Sequence, residues 1–180
     1  MKRSTVVLLT VAVLMLVAAI FVLSIIYSGM YNVAASAGHS ATVAWITETT
    51  MERSVQQRAA SLQVPPEIDL GSRALVEEAG KPYSEMCQMC HGAPGAEPAE
   101  WVVLTPSPPD LSEEASEWSD AELYWIIKHG VKMTGMPAFG PSHDEKQIWA
   151  LVAFVRHLPD MSPQEYEMIT ASPSSGEQSH

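Results

Sequence analysis

The sequence predicts an all-α chain: one N-terminal membrane-spanning helix, a partly helical connector and a domain of short helices gathered around one attachment site. Three observations lead there. An unbroken apolar run occupies Val6 to Tyr27; helical spacing interrupted by Pro- and Gly-rich loops continues from Gly71 to about Glu167; and the five residues Cys87-Gln88-Met89-Cys90-His91 interrupt that pattern. The expected organisation is an anchor over residues 1–30, a connector over 31–70, the short-helix domain over 71–167 and a disordered tail over 168–180.

The anchor comes first. Thr10 and Ser24 are the only polar residues inside the run from Val6 to Tyr27, which as a helix measures roughly 33 Å, enough to cross a hydrocarbon core. A cleaved signal peptide is the competing reading, because Lys2 and Arg3 make a basic start and Ala35-Ser36-Ala37 has the small-x-small form of a cleavage site. The length of the run favours a retained helix, and Tyr27 and Tyr31 suit an interfacial aromatic belt. Lys2 and Arg3 precede the apolar run and no further Lys or Arg appears until Arg53. The basic flank is therefore expected in the cytoplasm, with everything from Ser28 onward on the periplasmic side of a bacterial inner membrane.

In the connector, Val43, Ile46, Thr50, Val55, Ala59 and Leu62 recur at three- to five-residue intervals, which predicts a modestly amphipathic helix from about Ala41 to Gln63, closed by Pro65-Pro66. Such a helix serves as a spacer that lifts the following domain off the lipid, or as a docking helix for a partner's membrane subunit.

Cys87-x-x-Cys90-His91 carries the chemistry. Two thiols three positions apart lie almost one helical turn from each other, so both can add to the vinyl groups on one edge of a porphyrin, and the next residue is placed to ligate the iron. A zinc site needs four ligands, and Cys87 and Cys90 are the only cysteines in the chain. A thiol-redox pair belongs at the head of a helix in a βαβ pattern, and no run of buried strands precedes this one. The motif is read as the attachment site of one covalent haem c. Export of the domain agrees with this, and both thiols are then used in thioethers.

Around the motif, Pro82 to Cys90 is expected to be helical, with Pro82 tolerated in the first turn. Ser119-Asp120-Ala121-Glu122 has the form of a capping box opening a helix that Gly130 ends, with Leu123, Ile126 and Ile127 as its apolar face. Ser142-His143-Asp144-Glu145 repeats the form, followed by Ile148, Leu151, Val152, Val155 and Leu158 at helical spacing up to Pro159.

Residues 75–160 resemble a class I cytochrome c: Gly80 and Tyr83 ahead of Cys87-x-x-Cys90-His91-Gly92, then Pro109-x-Leu111, then Gly135-Met136-Pro137-Ala138-Phe139-Gly140, then a final apolar helix. The resemblance implies the class I cytochrome c fold, with a proline carbonyl near Pro109 accepting a bond from His91, a close crossing of first and last helices at Gly80 and Phe154, and Met136 as second axial ligand. The residues themselves support a thioether on that loop: Gly135 permits close approach, Pro137 stiffens the turn, and Met136 lies 45 positions after His91. Met133, in the same loop, is the alternative. Tyr124 and Trp125 are candidates to meet a haem propionate or simply to pack.

With both axial positions filled, the expected function is one-electron transport, not catalysis. By resemblance, the partners are a dehydrogenase, a quinol-oxidising complex or a terminal oxidase, reached by a tethered shuttle or by a fixed subunit. A haem-based sensor with a labile Met ligand is the second reading. Residues 66–180 carry 19 Asp and Glu against 6 Lys and Arg. That acidity excludes nucleic acid as a ligand and favours a basic partner or one held in place.

Overall fold

The computed structural model describes residues 2–171. The chain divides after Ala37 into two compact units. Within the described residues the structure is helical, apart from one isolated antiparallel bridge between Ala93 and Ala96.

The first unit holds α1 (Arg3–Ser28), 26 residues long and closed by Gly29 in the left-handed conformation at φ 68°. None of its residues is buried, and by length and composition it is able to cross a membrane. Its two interior hydroxyls are turned onto the helix's own carbonyls, Thr10 Oγ1 on Val6 O at 3.0 Å and Ser24 Oγ on Ile20 O at 2.8 Å. A polar group in a medium without water needs such a partner.

The second unit starts with α2 (Ala41–Ala59), capped by Ser40, whose side chain accepts from the Val43 N–H. The helix ends four residues before the expected Gln63, and Val55 and Ala59 at its C-terminal end are buried against α6 (Asp120–His129). That end is therefore a packed part of the unit.

α3 (Arg73–Met86) begins nine residues before the expected start at Pro82. Leu75, Val76, Ala79, Gly80 and Tyr83 form one buried face, and this burial outweighs the backbone bond that Pro82 forfeits inside the helix. The face packs on α7 (Glu145–His157), where Tyr83 meets Phe154 at 5.0 Å between ring centroids. Every residue from Ile148 to Val155 in α7 is buried. Burial of each large side chain there contributes about 1.5–3 kcal/mol.

The cap of one predicted helix also changes. The cap of α7 is Asp144, paired reciprocally with Gln147 at 2.9 Å in both directions, in place of Ser142 with Glu145. Both quartets satisfy the capping pattern, and the apolar register of α7 selects the later one. For α6 the expected box of Ser119 and Glu122 is present.

The other correction concerns the C-terminal end. Residues 168–171 do not begin a tail: α8 (Pro163–Ala171) runs through them and buries Tyr166 and Ile169. It is α8 that uses the close approach at Gly80, where a Cβ would stand 2.4 Å from Ile169 Cγ2. Phe154 meets Tyr83, one helical turn further along α3. The rest of the expected tail, 172–180, lies outside the described residues.

Candidate functional site

The cysteine motif occupies a joint in the helix. α3 ends at Met86, Cys87 turns with φ −112° and ψ −42°, and α4 (Gln88–His91) resumes. The backbone stays bonded across the joint: Cys87 N–H donates to Tyr83 O at 2.8 Å, and Cys87 O accepts from both Cys90 N–H and His91 N–H at 3.0 Å. Gly92 then leaves the helix at φ 68°, with a Cβ there standing 3.0 Å from Ala96 O. Tyr83 donates its hydroxyl to Gly92 O at 2.9 Å, Tyr166 donates to Gln88 Oε1 at 2.8 Å, and Ala99 N–H donates to Met89 O at 3.0 Å. The short helix is thus held by α3, by α8 and by the loop that follows it.

Both thiols are free and half-buried. Burial, with Cys90 beside it, pushes the Cys87 thiol up to about 12. A redox-active pair requires the opposite, a thiol whose thiolate is favoured at neutral pH. Among the described residues no group of three or more His, Cys, Asp or Glu side chains comes together to hold a metal ion. The donor set at the motif is two thiols and one imidazole.

His91 is fixed by a single bond. Its Nδ1 lies 2.8 Å from Pro109 O, and a carbonyl only accepts, so the proton sits on Nδ1 and Nε2 keeps its lone pair. Burial lowers the His91 pKa, opposed by the Pro109 bond and by Asp110. The ring is therefore neutral and ready to ligate. Pro106, Pro108 and Pro109 crowd this loop, and it is Pro109 that supplies the carbonyl. Asp110 immediately caps α5 (Leu111–Glu114) by accepting from Ser112 N–H at 2.8 Å, which anchors the loop at that point.

The methionine loop folds back on the end of α6. Gly130 turns at φ 64°, where a Cβ would lie 2.6 Å from the Pro137 backbone. Phe139 and Gly140 N–H groups then bond the Ile127 and Lys128 carbonyls at 3.2 and 2.9 Å. Thr134 Oγ1 accepts from Met136 N–H at 3.1 Å and donates to Val131 O at 2.7 Å. The two methionines separate clearly. Met136 is half-buried and packs against the same core as Cys87, whereas Met133 sits at φ 64° with 92% of its surface exposed.

A neutral imidazole with a free Nε2, two adjacent thiols and a core-packed thioether on a stapled loop make a donor set that fits a covalently attached haem. Residues 74–155 match the family model described as cytochrome C oxidase, cbb3-type, subunit III. The chain carries a c-type cytochrome domain. No curated protein matches it.

The matched stretch of the cytochrome runs from the start of α3 to near the end of α7, so α2 and α8 pack on the domain from outside it. Tyr124 is a packing residue: it is buried, stacks on Trp149 at 4.3 Å and accepts from Lys128 Nζ at 3.0 Å. Trp125 lies against His129 at 4.9 Å. Two contributors escaped the sequence reading. Arg156 donates to Asp120 Oδ1, Ala115 O and Trp118 O, tying α7 to the segment ahead of α6, and nothing in its local sequence marks it. Tyr166, which holds Gln88, was legible through a helix start: Ser162 precedes Pro163, and its hydroxyl accepts from Glu165 N–H at 3.2 Å.

Proposed function

We propose that the protein is a membrane-anchored electron carrier with one haem c, attached through Cys87 and Cys90 and ligated by His91 and Met136. The observation that carries this is the His91 Nδ1 to Pro109 O bond of 2.8 Å, which leaves one nitrogen of a neutral ring for iron. The bound haem supplies reversible one-electron chemistry at its iron. The chain's own residues orient the imidazole, deliver a thioether from the 131–140 loop and hold α4 in place through Tyr83 and Tyr166. Methionine opposite histidine raises the reduction potential, which suits the higher-potential part of a respiratory chain.

The family model is named for a subunit of an oxidase. The same role, as the cytochrome subunit of a respiratory oxidoreductase or as a tethered shuttle, is the one we assign here. Its donors and acceptors belong among dehydrogenases, quinol-oxidising complexes and terminal oxidases. Lys2 and Arg3 at the N-terminal end of α1 orient the domain to the periplasmic side of a bacterial inner membrane.

The test is a haem stain after denaturation of the full-length protein, together with reduced spectra recorded with and without carbon monoxide. A retained stain and an unchanged spectrum are expected. Loss of the stain overturns covalent attachment, and a spectrum that carbon monoxide shifts in the unmodified protein favours a ligand-binding sensor.

A further inference from the structure

The N-terminal half of α2 has properties that a spacer in water does not need. Trp45 and Ile46 are 65% and 50% exposed on a helix whose other end is packed on α6 through Val55 and Ala59. No Asp, Glu, Lys or Arg occurs from Ser4 to Thr47, and the first charge after the anchor is Glu48. Exposed Met30 and Val33 lie in the intervening stretch. An uncharged segment with large apolar side chains open to solvent is costly in water and stable at a lipid headgroup boundary, where Trp is favoured.

Two threonine hydroxyls of this half-helix turn onto their own helix as those of Thr10 and Ser24 do in α1. Thr47 Oγ1 bonds Val43 O at 2.9 Å and Thr50 Oγ1 bonds Ile46 O at 2.6 Å, each one turn back along its own helix. Reach is also satisfied, because the link from Gly29 to Ser40 between the two helices spans at most about 40 Å when extended.

Resting on the anchored reading above, we propose that the first turns of α2, with Trp45 and Ile46, lie in the headgroup region of the membrane that α1 crosses. The other end of α2 is part of the cytochrome's packing, so this contact holds the haem domain at the bilayer surface in a set orientation. On this proposal the protein works as a relay held at the membrane face, in place of a domain swinging freely on its tether.

The experiment uses the full-length holoprotein in lipid nanodiscs. With Cys87 and Cys90 consumed by the haem, Ile46→Cys supplies one free thiol for a nitroxide label, whose collisions with oxygen and with a water-soluble nickel chelate report its depth. Leu14→Cys on α1 and Gln57→Cys on the exposed side of the packed end of α2 are the reference sites. The expected result is a loss of nickel collisions relative to oxygen at 46, toward the behaviour of 14 and away from that of 57. A lipid-like Leu14 site with a water-like site at 46 overturns the interfacial contact and leaves the anchor standing; that outcome reassigns the apolar end of α2 to a protein partner. A water-like label at both 14 and 46 overturns the anchored reading and the inference with it.

Discussion

Tyr83 donates its hydroxyl to Gly92 O at 2.9 Å, a bond between residues that bracket the entire attachment motif. The tyrosine is fully buried and also touches Phe154 and Tyr166, at 5.0 and 6.3 Å between ring centroids. One side chain therefore joins the helix crossing to the exit of α4. Tyr83→Phe keeps the ring contacts and leaves the Gly92 carbonyl without this donor. It is expected to lower stability by about 1–3 kcal/mol, read by chemical denaturation, with the haem still attached.

The same burial predicts a pH dependence. Desolvation raises the Tyr83 pKa well above 10.0 and pushes Tyr166 up to about 12. The folded state keeps protons that the unfolded state releases above about pH 10, so stability is complete below that pH and falls as pH rises beyond it. Thermal unfolding followed by circular dichroism between pH 9 and 12 should show this decline. Tyr166→Phe should make it shallower, while lowering stability at neutral pH through loss of the Gln88 bond at 2.8 Å. An equally steep alkaline decline in Tyr166→Phe contradicts the assignment.

Gly80 is a contact position between α3 and α8. A Cβ there meets Ile169 Cγ2 at 2.4 Å and the Ile169 carbonyl at 3.2 Å. Gly80→Ala is expected to destabilise by about 1–3 kcal/mol through overpacking. Adding Ile169→Ala removes the nearer clash, so the double variant should lose less than the sum of the two single losses.

Arg156 spends its guanidinium on one carboxylate and two carbonyls, with Asp120 Oδ1 at 2.6 Å and Ala115 O at 2.7 Å. Lysine retains the charge and loses the planar fork. Arg156→Lys is expected to cost on the order of 2 kcal/mol, seen as a lower melting temperature with an unchanged visible spectrum at room temperature.

The two loop methionines give opposite predictions for the proposed haem ligation. Met136→Ala should yield a haem that binds carbon monoxide in the reduced state, and Met136→His should lower the reduction potential. Met133→Ala, at a side chain 92% exposed, should change neither. Carbon monoxide binding by Met133→Ala alone would reassign the axial position.

Local sequence determined the features that depend on near neighbours. The apolar run of α1, the Cys87-x-x-Cys90-His91 spacing, the Ser119–Glu122 box and the Gly130 stop are each written within a few residues, because caps, turns and attachment motifs are short-range chemistry. What required the tertiary structure was every choice between local options of equal merit. Asp144 caps α7 in place of Ser142, and α3 continues through Pro82, because burial of an apolar face decides between them. The tertiary structure also brings the Pro109 carbonyl, and not that of Pro106 or Pro108, to His91, and leaves Met136 packed on the core while Met133 is exposed. The close approach of Ile169 to Gly80 also belongs to the tertiary structure, since contact between helices far apart in the chain depends on how α8 folds back, which no local pattern specifies.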